Sequence, residues 1–340
     1  MNDDSIEIGR VRKTKSGWGD EGEELILPAH SGIPTMLKAP YCPPIKDELV
    51  RNKVKAALLG VPSNEGSQMW GGANMGPLGV RIASYQYGGY LMDYNIDIFD
   101  TYNLVDCGDV PIVPGNVART VENIEKVTSE ILQAGALPFL IGGDDTIPAG
   151  GARALSKNTN GKMGYLKFDC HTDTADSVLG EKLGHAQNVP RALDLPNVDP
   201  KNVVIVGVRG ALCPKSWFDW IKERGVTLLP MSAIIERGIE DVVNEALERV
   251  WDGTESVYLN FDTDSMEACY VPGTTVPEPW GLTTREAIQA LRMIGKTKIG
   301  CMDIVCFSPL FDPHGRGGIT ERLVIYLIHT ILGTYHVNLK

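Results

Sequence analysis

The sequence predicts a single three-layer α/β domain, with a mostly parallel sheet between helices on both faces and an N-terminal arm in front of it. Three observations predict it. Apolar runs of strand length recur along the chain, amphipathic helical stretches lie between them, and several runs end in glycine or acidic residues. Residues 1–52 contain the segments LPAHSGIPT and APYCPPIKDE, which carry prolines and show neither a helical nor a strand period. They read as an arm laid over the body or over a neighbouring subunit.

The pattern changes at residue 53. The runs VKAALLGV, NLVDCGDV, LPFLIGGD, MGYLKFD, NVVIVGVRG, VTLLP, SVYLNFDTD and KIGCMDIVCFS follow in order. They are continuously apolar rather than alternating, as strands buried on both faces require, and give seven or eight strands. Helical candidates fall at 121–134, 217–224, 239–250, 283–294 and 319–332. Repeated strand-then-helix order implies parallel pairing, and no internal repeat or linker divides 53–340.

Composition narrows the partners. The chain has 340 residues, 43% of them hydrophobic, enough for a substantial core. Lys and Arg number 32 against 43 Asp and Glu, a formal charge of -11 with no basic run, which argues against nucleic acid and anionic membrane. The start MNDDSIEIGR lacks the basic-then-apolar layout of a secretory signal, and no apolar stretch reaches the roughly 18 residues a membrane span needs. A cytoplasmic location is expected. Cys42, Cys107, Cys170, Cys213, Cys269, Cys301 and Cys306 form an odd set without a C-x-x-C pair, so reduced thiols are expected rather than disulfides or a zinc knuckle.

Ligands of open parallel sheets bind beyond the carboxyl ends of the strands. Three such ends are acidic: Gly142-Gly143-Asp144-Asp145-Thr146, Asp169-Cys170-His171-Thr172-Asp173, and Asp262-Thr263-Asp264. Singly, each could be a helix cap or a turn. Alternate side chains of an extended segment point the same way, so Asp169, His171 and Asp173 can converge, as can Asp262 and Asp264. A cluster of like charge needs cations, and oxygen ligands with one imidazole suit manganese or nickel. A dinuclear centre with Asp145 as a further ligand is the expectation.

These motifs resemble those of the ureohydrolase family, the arginases, agmatinases and guanidine hydrolases. Its patterns GGDHS, DAHxD and DxDxxDPxxxPGT are matched by Gly142 to Thr146, by Asp169 to Asp173, and by Asp262 through Glu267 to Val271-Pro272-Gly273-Thr274. Gly76-Pro77 through Arg81, Gly281-Leu282-Thr283 and Met302-Asp303-Ile304-Val305 extend the similarity over about 53–335. The resemblance implies an arginase-like fold with an eight-stranded sheet. It implies a first metal on Asp145, Asp169, Asp173 and Asp262, and a second on Asp169, His171, Asp262 and Asp264. It also gives His185 the role of proton shuttle to the leaving amine. His185-Ala186-Gln187-Asn188 with Leu195-Pro196-Asn197 looks closest to guanidine hydrolases and metformin hydrolase subunits, with Asn188 at the substrate.

Three positions depart from the family pattern. The histidine of the first motif is Asp145, the last carboxylate of the third is Glu267, and the glutamate that would clasp a guanidinium is Cys306. Asp145 adds an anionic side chain to the ligand shell, and Cys306 removes a charge-assisted contact typically worth about 1.5–3 kcal/mol. Two accounts follow. In the favoured one, the chain is a catalytically impaired subunit of a metal-dependent complex that hydrolyses a guanidino or biguanide C–N bond, of guanidine or metformin type, and it pairs with an active homologue. In the other, it is itself an active dinuclear nickel or manganese hydrolase of linear amidines. Two divalent ions are expected if the chain is active, and one or none if it is impaired. The family implies a trimer or hexamer, homomeric or mixed.

Overall fold

The computed structural model describes residues 32–67 and 69–339. Eight strands form one sheet: β1 (Ala56–Gly60), β2 (Val105–Asp109), β3 (Leu137–Ile141), β4 (Met163–Phe168), β5 (Val198–Val206), β6 (Thr227–Leu229), β7 (Ser256–Asp262) and β8 (Cys301–Val305). Their order is β2-β1-β3-β8-β7-β4-β5-β6, and every adjacent pair is parallel. Seven of the eight runs read as strands from the sequence contain their strand, and β5 begins at Val198, four residues before its run NVVIVGVRG. A two-stranded antiparallel ribbon, Tyr90–Leu91 with Ile96–Asp97, lies apart from them.

The longer helices are α1 (Val117–Gln133), α2 (Ile147–Lys157), α3 (Lys215–Arg224), α4 (Ile239–Val250), α5 (Thr284–Ile294) and α6 (Ile319–Tyr335). Strand side chains alternate between two cores, as the two-residue period requires. Leu166, Phe168, Leu259, Phe261, Met302 and Ile304 share one core with α4, α5 and α6. Tyr165, Ile205, Tyr258, Cys301 and Val305 share the other with α1, α2 and α3. These are the outer layers of the predicted three-layer domain.

Helix ends follow local chemistry. Asn116 caps α1 by accepting from the Arg119 amide at 3.0 Å, and Thr283 with Glu286 forms a capping box at the start of α5. α6 is almost wholly buried, so its apolar character is that of a core helix. Helix α2 was not foreseen. Its sequence IPAGGARALSK places Pro148 in the first turn, where the missing amide costs nothing, and glycines where neighbours crowd it. A Cβ on Gly151 would lie 2.3 Å from the Tyr258 hydroxyl, and one on Gly150 2.7 Å from Ile124 Cβ.

The described part of the arm lies along the body beside β2. Met36 and Leu37 are fully buried, and the Met36 amide donates to Asp106 Oδ2 at 2.8 Å. Arg81 holds the same carboxylate from the other side, Nε to Oδ2 at 2.9 Å and Nη2 to Oδ1 at 3.0 Å. All seven cysteines are free, five of them buried. No helix among the described residues is long and apolar enough to cross a membrane.

Candidate active site

The acidic tips sit at the carboxyl ends of β3, β4 and β7, around the exit of β8. After β3, Gly142 and Gly143 take positive φ of 82° and 72°, and a Cβ on Gly143 would lie 2.2 Å from the Val61 carbonyl oxygen. Only glycine passes this turn without strain, and it delivers Asp144 and Asp145 inward. After β4 the chain doubles back at Asp173, whose φ is 48°. After β7, Asp262 caps a short turn by accepting from the Asp264 amide at 2.8 Å. Arg209 pins that turn from outside, with Nη2 donating to the carbonyls of Asp264 at 2.8 Å and Met266 at 3.1 Å.

The tips converge. Carboxylate oxygens of Asp145, Asp169 and Asp262 lie within 4.8 Å of one another, and ligand atoms of Asp169, Cys170, His171 and Asp264 form a second group of the same size. His171 Nδ1 is 3.3 Å from Asp169 Oδ1 and 3.2 Å from Asp264 Oδ2.

Against two members of the first group, Asp145 and Asp169, lies a residue that was not singled out from the sequence. Lys167, in β4 and fully buried, places Nζ 2.9 Å from Asp145 Oδ2, 2.6 Å from Asp169 Oδ2, 2.9 Å from Asp173 Oδ2 and 2.8 Å from Asn260 Oδ1. Lys167 pairs in register with Asn260 of β7, which pairs with Asp303 of β8. Asn260 Nδ2 donates to Asp303 Oδ1 at 2.7 Å, and the Tyr258 hydroxyl to Asp303 Oδ2 at 2.5 Å. A buried polar row thus runs beneath the acidic tips. The signal for it was the same alternation that grouped the tips: Lys167 stands two before Asp169, and Asn260 two before Asp262.

Burial and charge push the acids in different directions. Burial raises Asp145 and Asp262 well above the usual carboxylate range, with neighbouring carboxylates adding to it. Asp169 is buried too, but the Lys167 ammonium and His171 hold it below that range. Burial alone would lower His171, yet Asp264 and Asp169 raise it. Lys167 is likewise raised against its burial by Asp145, Asp169 and Asp173. Asp303 is raised by burial to about 6, with Tyr258 and Asn260 opposing.

The remaining positions lie around this cluster. His185 Nε2 is 3.8 Å from Asp144 Oδ2. Burial would raise the Asp144 carboxyl, but His185, Thr146 and Ser63 hold it low. The Asn188 amide donates to Asp145 Oδ2 and, at 3.4 Å, to Asp173 Oδ2, so it faces the acids. Cys306 is buried at a φ of 65°, where β8 ends, and burial with the nearby Asp262 carboxylate pushes its thiol up. Glu267 stands apart. Its Oε2 accepts from the Trp280 amide at 2.6 Å and the Gly281 amide at 3.0 Å, which ties down a loop. Trp70 is 60% exposed, with its ring 6.1 Å from that of Phe311.

Comparison with known proteins gives this geometry a context. The model of the Arginase family matches residues 54–333. The chain belongs to the arginase family. Guanidinobutyrase of Pseudomonas aeruginosa is 32% identical over 307 residues, covering 90% of this chain and 94% of its own. The structure of proclavaminate amidino hydrolase from Streptomyces clavuligerus superposes with a TM-score of 0.83 at 27% identity, covering 91% of this chain and 99% of that one. Trypanosoma cruzi formiminoglutamase, solved with Mn2+, shares the fold at a TM-score of 0.75 and 22% identity over 83% of this chain and 94% of that one.

The two-ion expectation fits the arginase-family donor sets unequally. Asp169, His171 and Asp264 gather at the second position, with the Asp262 carboxylate beside them, a donor set suited to a divalent ion. The first position does not fit. Lys167 Nζ stands among its carboxylates, and Asn188 and Asn260 donate to Asp145 as well.

Proposed function

We propose that this arginase-family chain is the catalytically impaired subunit of a complex that hydrolyses a guanidino or biguanide C–N bond, of guanidine or metformin type, with the chemistry performed by an active homologue. Family membership and the guanidino-hydrolase relatives support the bond class. The observation that carries the impairment is Cys306. The resemblance puts a guanidinium-clasping glutamate at this β8 exit, and this chain puts there a buried thiol that burial and the nearby Asp262 carboxylate hold in its uncharged form. A cation that loses its carboxylate partner loses a charge-assisted contact worth about 1.5–3 kcal/mol.

What the chain retains is the Asp144–His185 neighbourhood and the second donor set. Asp144 stands 3.8 Å from His185 beside the acidic cluster. A nickel or manganese ion on Asp169, His171, Asp262 and Asp264 would supply Lewis-acid polarisation of a bound group. Mixed trimers or hexamers are the assembly this reading calls for.

The test is co-expression with an active homologue followed by assay for urea, guanylurea or released amine on guanidine, agmatine, arginine and biguanides. The expected result is a stable mixed complex that turns over and an isolated chain that does not. Full turnover by the isolated chain overturns the reading.

A further inference from the structure

We propose that Lys167 is a resident cation standing in for the first metal ion, so that each chain takes up no more than one divalent ion. The ammonium is fully buried and within 2.9 Å of oxygens on Asp145, Asp169 and Asp173, which come from the tips of β3 and β4. These are three of the four side chains the family resemblance assigns to that ion. A divalent ion bound to the same oxygens would lie close to Nζ with only those carboxylates between them. The two cations exclude each other.

Lysine has no retreat. Its direction is set by the pairing of Lys167 with Asn260 on one side and Ile205 on the other, both in the sheet interior. Its stem lies on the sheet face shared by Tyr165 and Tyr258, beneath α2. Asn260 Oδ1 accepts from Nζ at 2.8 Å, which completes its coordination by oxygen.

The same geometry explains Asp145. A neutral imidazole there would leave the buried ammonium with one carboxylate fewer, whereas Asp145 pairs it directly. Both carboxylate oxygens are already engaged, Oδ2 by Lys167 and Asn188 and Oδ1 by Asn260 at 3.3 Å. Asp145 is the counter-ion of Lys167 rather than an additional metal ligand. The two residues form a reciprocal pair and are expected to be exchangeable only together.

The inference rests on the reading of this cluster as the family's metal site, and its test uses the full chain alone. Chelator-treated protein is titrated with Mn2+ and with Ni2+, and bound metal is counted by equilibrium dialysis with elemental analysis. Wild type is expected to bind no more than one ion per chain. The double variant Lys167→Met/Asp145→His is expected to bind two, and its thermal midpoint should rise further on metal addition than that of wild type. Two ions on wild-type protein, or a folded double variant that takes up no more metal than wild type, would overturn it. If the double variant fails to fold, the wild-type count still decides. A mixed complex that forms around a two-ion chain would sink this inference and leave the partner reading standing. A one-ion chain that turns over alone would do the reverse.

Discussion

The two cation positions of the cluster solve the same electrostatic problem by different means. At the first, the positive charge is covalently part of β4. Lys167 is fully buried and raised above its ordinary range by three carboxylates. At the second, His171 lies between Asp169 and Asp264, whose carboxylates favour its protonated form, on a side chain that is 11% exposed. An ammonium on a strand cannot be exchanged, while a proton on an imidazole can give way to a metal ion. The first position is therefore structural, and the second retains the chemistry of a ligand site.

The comparison is most severely tested by removing the resident charge. Lys167→Met in chelator should lose about 3–5 kcal/mol of unfolding free energy in urea titrations, because a partnerless acid cluster remains buried. A loss below about 1 kcal/mol would mean that the first position is no more charged than its surroundings. Asp303→Leu should cost about 3 kcal/mol by the same measurement, since the Tyr258 hydroxyl and the Asn260 amide lose their shared acceptor.

The second position should declare itself through pH. His171 is raised above its unfolded value near 6.5. Its contribution is fully present below about pH 6.5 and is lost as pH rises toward the folded value. Metal-free protein should then lose about 1.4 kcal/mol per pH unit from this group above pH 6.5, and His171→Asn should remove that part of the slope. Unchanged slopes in thermal melts of the two proteins would remove the distinction drawn here. The smallest effect is expected at Glu267→Gln, which keeps an acceptor for the Trp280 and Gly281 amides and should cost less than about 1 kcal/mol without altering metal uptake.

Much of this was legible before folding was considered. All eight strands of the sheet overlap apolar runs, because strands buried on both faces leave a continuous hydrophobic signature, and only the polar start of β5, 198–201, lies outside them. The acidic tips were legible because their spacing matches the strand period. Helix α2 was not, since Pro148 and Gly150-Gly151 suppress the helical pattern and their purpose lies in close approach to Ile124 and Tyr258. Asp144 was read only as part of a motif, although it is the residue that meets His185. Arg209 gave no motif, and its role exists only through carbonyls of a distant turn.

Lys167 marks the boundary most clearly. Its place in GYLKFD is a local fact, and so is the alternation that aims it with Asp169 toward one face of the sheet. Local chemistry alone determined the layer order, the strand ends and the stock of acids available there. Which of those acids face a metal ion and which face an ammonium depends on β3, β7 and β4 bringing residues 145, 260 and 167 to one point. Charge interactions act through space rather than along the chain, and so only the assembled sheet could decide it.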